Sequence, residues 1–243
     1  MEIVKIPRGP IRLNAFYWPK KTDRAIVICH GFTGRCDTPQ KRIWARTLSD
    51  EYAVLSLDFA GCGKSEGSFE DTTISSEVKD LKAALRFLKG LSFRRFGLVG
   101  HSLGGVIALC ESAKDLDIQA VCTVAAPFDH ARYPDAFMTQ SQVLRWKTDG
   151  FISFRSDQFV FDLKYDFKKD QVLYPMDSVM KKNRCPILLI QGTADELVPS
   201  DDATSYANYE NVRLVWIPDG DHGLLRQSPE VGRKMLYFFR EHL

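Results

Sequence analysis

Gly100, His101, Ser102, Leu103 and Gly104 set one serine between two glycines, with an apolar run before the pentad and another after it. This satisfies G-x-S-x-G at the junction of an expected strand and an expected helix, where a sharp turn lifts the middle side chain above the sheet edge. The glycines serve geometry, because only tiny neighbours two positions away avoid a clash. A serine hydroxyl is a poor nucleophile at neutral pH, so it needs a base within hydrogen-bonding reach and an acid to orient that base. The competing reading of Ser102 is a small polar residue in a glycine-rich turn that packs a helix on a sheet.

Five histidines are available as the base. His30 precedes Gly31 in a tight loop, His101 adjoins the serine and points elsewhere, His130 lies in an aromatic-rich segment, and His242 is one residue from the last. His222, in "IPDGDHGLL", follows the last apolar run and precedes the final helix, so it reaches over the strand ends. Asp195, in "PILLIQGTADELVP", stands a few residues after another apolar run and is the favoured acid. Asp219 and Asp221 are too close to His222 in sequence to hold its far nitrogen, and Glu196 is the substitute for Asp195. Acyl transfer also needs two donors for the developing oxyanion. The backbone N–H of Leu103 supplies one, and that of Phe32, in "AIVICHGFTG", is assigned the second. Without these roles, His222 is a surface loop histidine and Asp195 a turn residue capping the next helix.

The elements that must position these groups show in the periodicity. Short apolar runs at 25–29, 53–57, 96–99, 120–125, 187–190 and 212–217 read as strands buried on both faces. Between them lie helical patterns, clearest where Ile74, Val78, Leu81, Leu85 and Leu88 follow spacings of four, three, four and three. Residues 103–113 and 230–242 form further helices. Such alternation gives an α/β fold, a mostly parallel twisted sheet with helices on both faces. Residues 2–6 and 11–17, joined by Pro7-Arg8-Gly9-Pro10, add an antiparallel hairpin at one edge. Residues 128–176 break the rhythm with crowded aromatics, including Phe159, and read as an insertion holding a small hairpin around Arg155-Ser156-Asp157. The expected organisation is a core of 1–127 and 177–243, interrupted by 128–176 as an insertion between two strands of the sheet.

At 243 residues the chain fits one sizeable domain. Its 44% hydrophobic and 26% charged residues are ordinary for a globular protein, and a formal charge of +2 with scattered basic residues gives no nucleic-acid groove. No run of about 18 apolar residues and no leader pattern occurs, so a cytoplasmic protein without membrane contact is expected. No cysteine pair has metal-ligand spacing, no metal or organic cofactor is called for, and Cys36 and Cys62 form a disulfide only if their loops meet. A monomer and a homodimer both stay open.

"HGFTG", "DFAGCGKSEG", "GHSLGG", "GTADELVP" and "DGDH", in this order, resemble the α/β-hydrolase superfamily over essentially the whole chain. Its serine esterases and lipases are the specific likeness, nearest to small microbial carboxylesterases that include cinnamoyl and feruloyl esterases. The resemblance implies an α/β-hydrolase fold, a catalytic serine, acid and histidine at Ser102, Asp195 and His222, and a cap over the site. The expected activity is hydrolysis of a small-molecule ester through an acyl-enzyme, on small to medium apolar or aromatic acyl groups, hydroxycinnamoyl esters among them. Trp146, Phe151 and Tyr165 are the candidate substrate contacts in the cap, with Asp129 beside Tyr165 as a partner for a substrate hydroxyl. The alternatives are a serine peptidase or amidase, with Asp157 and Asp162 holding a substrate amine, and a ligand receptor on a hydrolase scaffold.

Overall fold

The computed structural model describes residues 1–156 and 160–243, so Asp157 and Phe159 lie outside the described residues. In chain order the first half runs β1 (Glu2–Arg8), β2 (Ile11–Trp18), β3 (Arg24–Cys29), α1 (Pro39–Leu48), β4 (Ala53–Leu57), α2 (Ile74–Gly90), β5 (Arg95–His101) and α3 (Leu103–Ser112). The second half runs β6 (Ile118–Val124), α4 (Gln140–Asp149), β7 (Phe151–Arg155), β8 (Val160–Lys164), α5 (Asp166–Gln171), α6 (Met176–Lys182), β9 (Ile187–Gly192), α7 (Ser200–Tyr206), β10 (Val212–Ile217) and α8 (Ser228–His242). Eight strands form one sheet in the order β1-β2-β4-β3-β5-β6-β9-β10. The β1–β2 hairpin joins antiparallel at one edge, and the strands from β4 to β10 are parallel.

Alternation along each strand divides the core in two. Ile26 and Ile28 of β3 face one helix layer with Trp44 of α1 and Met235 and Phe239 of α8. Ala25, Val27 and Cys29 face the other, with Leu81 of α2 and Val106 of α3. Helix α2 begins in a capping box, where the Thr73 hydroxyl accepts from the Ser76 N–H at 3.0 Å and the Ser76 hydroxyl accepts from the Thr73 N–H at 2.9 Å. Its stripe of Ile74, Val78, Leu81, Leu85 and Leu88 is buried, as the spacing predicts. One expectation fails here. Residues 212–217 are not buried on both faces, since β10 is an edge strand paired only with β9 and leaves Arg213 and Trp216 exposed. All six cysteines are free, buried thiols, so Cys36 and Cys62 form no disulfide.

Between β6 and β9 the chain departs from the sheet. The β7–β8 hairpin turns Ile152, Phe154, Phe161 and Leu163 inward, where Trp146 of α4 and Phe167 of α5 are also buried. Asp170, at the end of α5, ties this unit to α2 by accepting from the Ser75 N–H at 2.7 Å and the Ser75 hydroxyl at 2.6 Å. Helix α6 returns to α3, and Asn183 just after it donates to Ser112 Oγ at 2.7 Å. Residues 128–176 are therefore our proposed cap unit. Among the described residues no helix is long and apolar enough to cross a membrane.

The hairpin edge is pinned by one ion pair. Arg8 Nε lies 2.6 Å from Asp80 Oδ1, and Asp80, with no exposed surface, also accepts from the Ala60 N–H at 2.8 Å. Burial holds the Asp80 carboxyl above its usual range even with Arg8 beside it. Removing the guanidinium strands a buried carboxylate, so Arg8→Met should destabilise the fold by about 3 kcal/mol, read as a lower urea midpoint at unchanged slope. An unchanged midpoint would show that the pair contributes nothing.

Candidate active site

Ser102 sits between β5 and α3 with φ 52° and ψ −124°, a backbone conformation that side-chain-bearing residues rarely adopt. Its N–H donates to the Val124 carbonyl at 2.8 Å and its carbonyl accepts from Gly105 N–H at 2.8 Å, so the turn is held from both sides. The glycines around it are required by close approach. A Cβ on Gly100 would fall on the Gly104 carbonyl and Gly105 Cα, and one on Gly104 would fall on the His30 and Cys29 carbonyls. A Cβ on Gly31 would lie 3.0 Å from that of Ser102. The loop after β3, the end of β5 and the start of α3 therefore meet at the serine.

The loops after β9 and β10 are lashed together beside it. Thr193 N–H donates to the Ile217 carbonyl at 3.0 Å, and Ala194 N–H to the Gly220 carbonyl at 2.9 Å. This brings His222 Nδ1 to 3.0 and 3.1 Å from the two Asp195 carboxylate oxygens. Asp195 also accepts from the Leu197 and Val198 N–H groups and the Gln191 amide, each at 2.9 Å. Burial opposes its charge, but the His222 hydrogen bond and these N–H donors prevail, so the carboxyl lies below its ordinary range. An ionised Asp195 keeps the proton of a neutral His222 on Nδ1 and leaves Nε2 as the basic atom. Among the described residues no hydrogen bond joins Ser102 to His222, although both line one cavity; such contacts often tighten only when substrate binds.

Two other histidines support this arrangement without lending a base. His101 Nε2 donates to the His222 carbonyl at 2.9 Å, and the two rings lie 5.0 Å apart. Burial, then the Lys41 charge, push His101 well below its usual pKa, so it is a neutral donor. His30 Nδ1 donates to the Gly31 carbonyl at 2.8 Å while its Nε2 accepts from Phe59 N–H at 3.1 Å. Burial brings its pKa down to about 4. His30 thus braces the loop that carries Phe32. His130 is buried in the cap unit with Nε2 2.7 Å from the Tyr174 carbonyl, and His242 packs edge-on against Phe238 far along α8.

Gly31, Phe32, Ser102, Leu103 and His222 line a single cavity of about 190 Å³. The cap unit contributes His130, Tyr133, Pro134, Phe137, Phe167 and Gln171, and the β9 loop contributes Leu197 and Val198. Trp146, Phe151 and Tyr165 do not line it, and the expectation for them is corrected. Trp146 is wholly buried, donates its indole N–H to the Leu163 carbonyl at 2.9 Å, and packs edge-on against Tyr165 at 5.2 Å. Phe151 points outward from β7 and is 39% exposed. An insertion this small spends such rings on its own core. Asp129 is likewise absent from the wall; its N–H donates to Asp202 at 3.1 Å. Asp162 is engaged by Ser153 at 2.6 Å and Arg155 at 2.9 Å.

Wall residues that sequence reasoning missed include Lys41, His130, Tyr133, Pro134, Phe137, Phe167, Gln171, Leu197 and Val198. His130, Tyr133 and Phe137 were visible only as members of an aromatic-rich segment, and Lys41 sits in a helix whose buried positions include polar residues. Strain at Ser102 generates a stability prediction. Ser102→Gly should raise the unfolding free energy by about 1 kcal/mol, read as a higher unfolding midpoint, because relief of strain worth about 1 to 3 kcal/mol exceeds the extra chain entropy a glycine loses. Ser102→Ala should give no such gain, and equal midpoints for the two variants would refute the strain.

The family model for the alpha/beta hydrolase family matches residues 26–231. Human ABHD12B is 27% identical over 214 residues, covering 84% of this chain and 57% of that protein, so the chain spans little more than half of it. The human serine hydrolase BPHL is 25% identical over 228 residues, covering 87% of this chain and 77% of BPHL. The structure of Est1E from Butyrivibrio proteoclasticus with ferulic acid bound superposes with a TM-score of 0.82 at 25% identity, covering 98% of this chain and 99% of Est1E. The fold, the strand order and the family match agree, and the chain belongs to the alpha/beta hydrolase family.

Proposed function

We propose that this protein is a serine carboxylic ester hydrolase that works through an acyl-enzyme. The observation that carries the reading is the His222–Asp195 pair, opening on the same cavity as a serine held in a strained strand-to-helix turn. Ser102 attacks the ester carbonyl and His222 Nε2 takes its proton. Asp195 holds the imidazole in the tautomer that leaves Nε2 free and stabilises the imidazolium as it forms. The N–H groups of Leu103 and Phe32 receive the oxyanion. His222 then protonates the departing alcohol, and water repeats the sequence to release the acid.

The cavity wall favours a small to medium apolar or aromatic acyl group. Phe32, Leu103, Pro127, Phe137, Phe167 and Val198 supply apolar surface, and no aspartate or glutamate lines it among the described residues. Among the described residues none therefore offers a carboxylate at the cavity to hold the substrate amine of the peptidase reading. The ferulic acid in Est1E supports aromatic acyl groups as members of the class to be tried.

Ser102→Ala should abolish turnover of p-nitrophenyl esters, and a fluorophosphonate probe should label the parent but not the variant. Asp195→Asn should lower kcat by about 10⁴-fold, the scale for an imidazole left in the wrong tautomer. Undiminished turnover by a folded Ser102→Ala protein overturns the assignment.

A further inference from the structure

The proposed chemistry leaves one charged side chain on the cavity wall unused. Lys41, third residue of α1, is 4% exposed and lines the cavity with Ser102 and His222. Its ammonium donates to Gln40 Oε1 at 2.9 Å and stands 6.0 Å from the centre of the Trp44 ring. An ammonium carries three donors, so the amide oxygen leaves two unspent. Among the described residues no carboxylate pairs with it: the groups that face it are the Cys36 thiol, His30, His101, the neutral Gln40 amide and the Trp44 ring.

A buried cation without a counter-ion is costly, and an apolar side chain of equal length would fill the same space without that cost. Packing alone therefore does not account for a lysine. Gln40 is itself held, its amide nitrogen donating to the Gly223 carbonyl in the loop that carries His222. The one acceptor given to Lys41 is thus neutral and fixed in place. The rest of the wall supplies histidines, a tyrosine, an amide and apolar surface, none of which carries a negative charge to neutralise an ammonium.

We propose that Lys41 is a substrate anchor, so that the preferred ester carries a carboxylate which enters the cavity and pairs with the Lys41 ammonium. The proposal rests on the reading of the site as that of an ester hydrolase. It adds an anionic group to a substrate otherwise described as apolar or aromatic. Burial brings the Lys41 pKa down to about 8, so the anchor is charged at neutral pH and is lost as the pH rises through that value.

Two pairs of esters test it: a dicarboxylic acid monomethyl ester against its dimethyl ester, and an acyl ester of glycolate against that of methyl glycolate. The first pair places the carboxylate on the acyl side and the second on the alcohol side. In one pair the charged ester should be preferred in kcat/KM by roughly tenfold, the scale of a charge-assisted hydrogen bond. That ratio should collapse in Lys41→Met, return in part in Lys41→Arg, and fall in the parent above about pH 8. Taking the ratio cancels every pH effect that the two esters of a pair share.

Calorimetry on the Ser102→Ala protein separates the anchor from the catalysis. In at least one of the two pairs the charged ester should bind more tightly than its neutral counterpart, whether or not any ester is turned over. Failure of turnover with this difference intact would overturn the hydrolase reading alone. Neutral esters preferred or matched in both pairs, with no tighter binding of the monoanion to the Ser102→Ala protein, would overturn the anchor. If Lys41→Met does not fold, the parent's charge preference and its loss above about pH 8 still decide the question.

Discussion

The site depends on how closely three backbone segments approach at Ser102. With φ at 52°, the serine turns the chain from β5 into α3 within one residue, and the turn depends on Gly100 and Gly104 presenting no Cβ, with Gly31 easing the approach of the neighbouring loop. The same contact that permits the turn brings the loop after β3 against the first turn of α3. The two backbone N–H groups assigned to the oxyanion therefore belong to segments already pressed together by packing. Strain at one residue is held by the parallel sheet around it, since the Ser102 N–H is spent on Val124 in the neighbouring strand.

A second set of contacts does the same for Asp195 and His222. Parallel β9 and β10 end side by side, and two backbone hydrogen bonds from Thr193 and Ala194 fasten one loop to the other before any side chain is considered. Asp195 then spends its lone pairs on Leu197, Val198, Gln191 and His222, which fixes its direction. His222 is held from behind, by His101 on its own carbonyl and by Gln40 on the next one. Neighbours that fix ligand-facing groups in this way are what keep a site oriented without reorganisation at the moment of reaction.

This division explains what the sequence made legible. Ser102, Asp195 and His222 each follow an apolar run within a few residues, and strand ends of a parallel sheet converge on one edge, so their meeting was readable. The sheet strands were readable for the same reason, save that β10 is an edge, a property of topology that no local pattern carries. The cap was not readable. Counting aromatics pointed to Trp146 and Tyr165, whereas those rings meet each other and the Leu163 carbonyl inside the unit. Helix α1 escaped notice because Gln40 and Lys41 are buried beside Trp44 and Leu48, and buried polar residues erase the apolar stripe. Lys41 was thus hidden by the very feature that makes it chemically unusual.

Phe32 connects the two halves of the problem. Its backbone belongs to the loop braced by His30, but its ring packs against Phe69, Phe161 and Phe167, at 5.2, 5.0 and 5.6 Å. Phe161 and Phe167 belong to the β7–β8 hairpin and α5, so the side chain of a core loop is seated in the cap unit. Phe167 also forms part of the cavity wall. A substrate that displaces Phe167 therefore presses on the residue whose N–H is assigned to the oxyanion. In a close-packed cluster such a displacement is transmitted rather than absorbed. Under the proposed ester hydrolysis, acyl shape and carbonyl activation are coupled through the contact between the Phe32 and Phe167 rings.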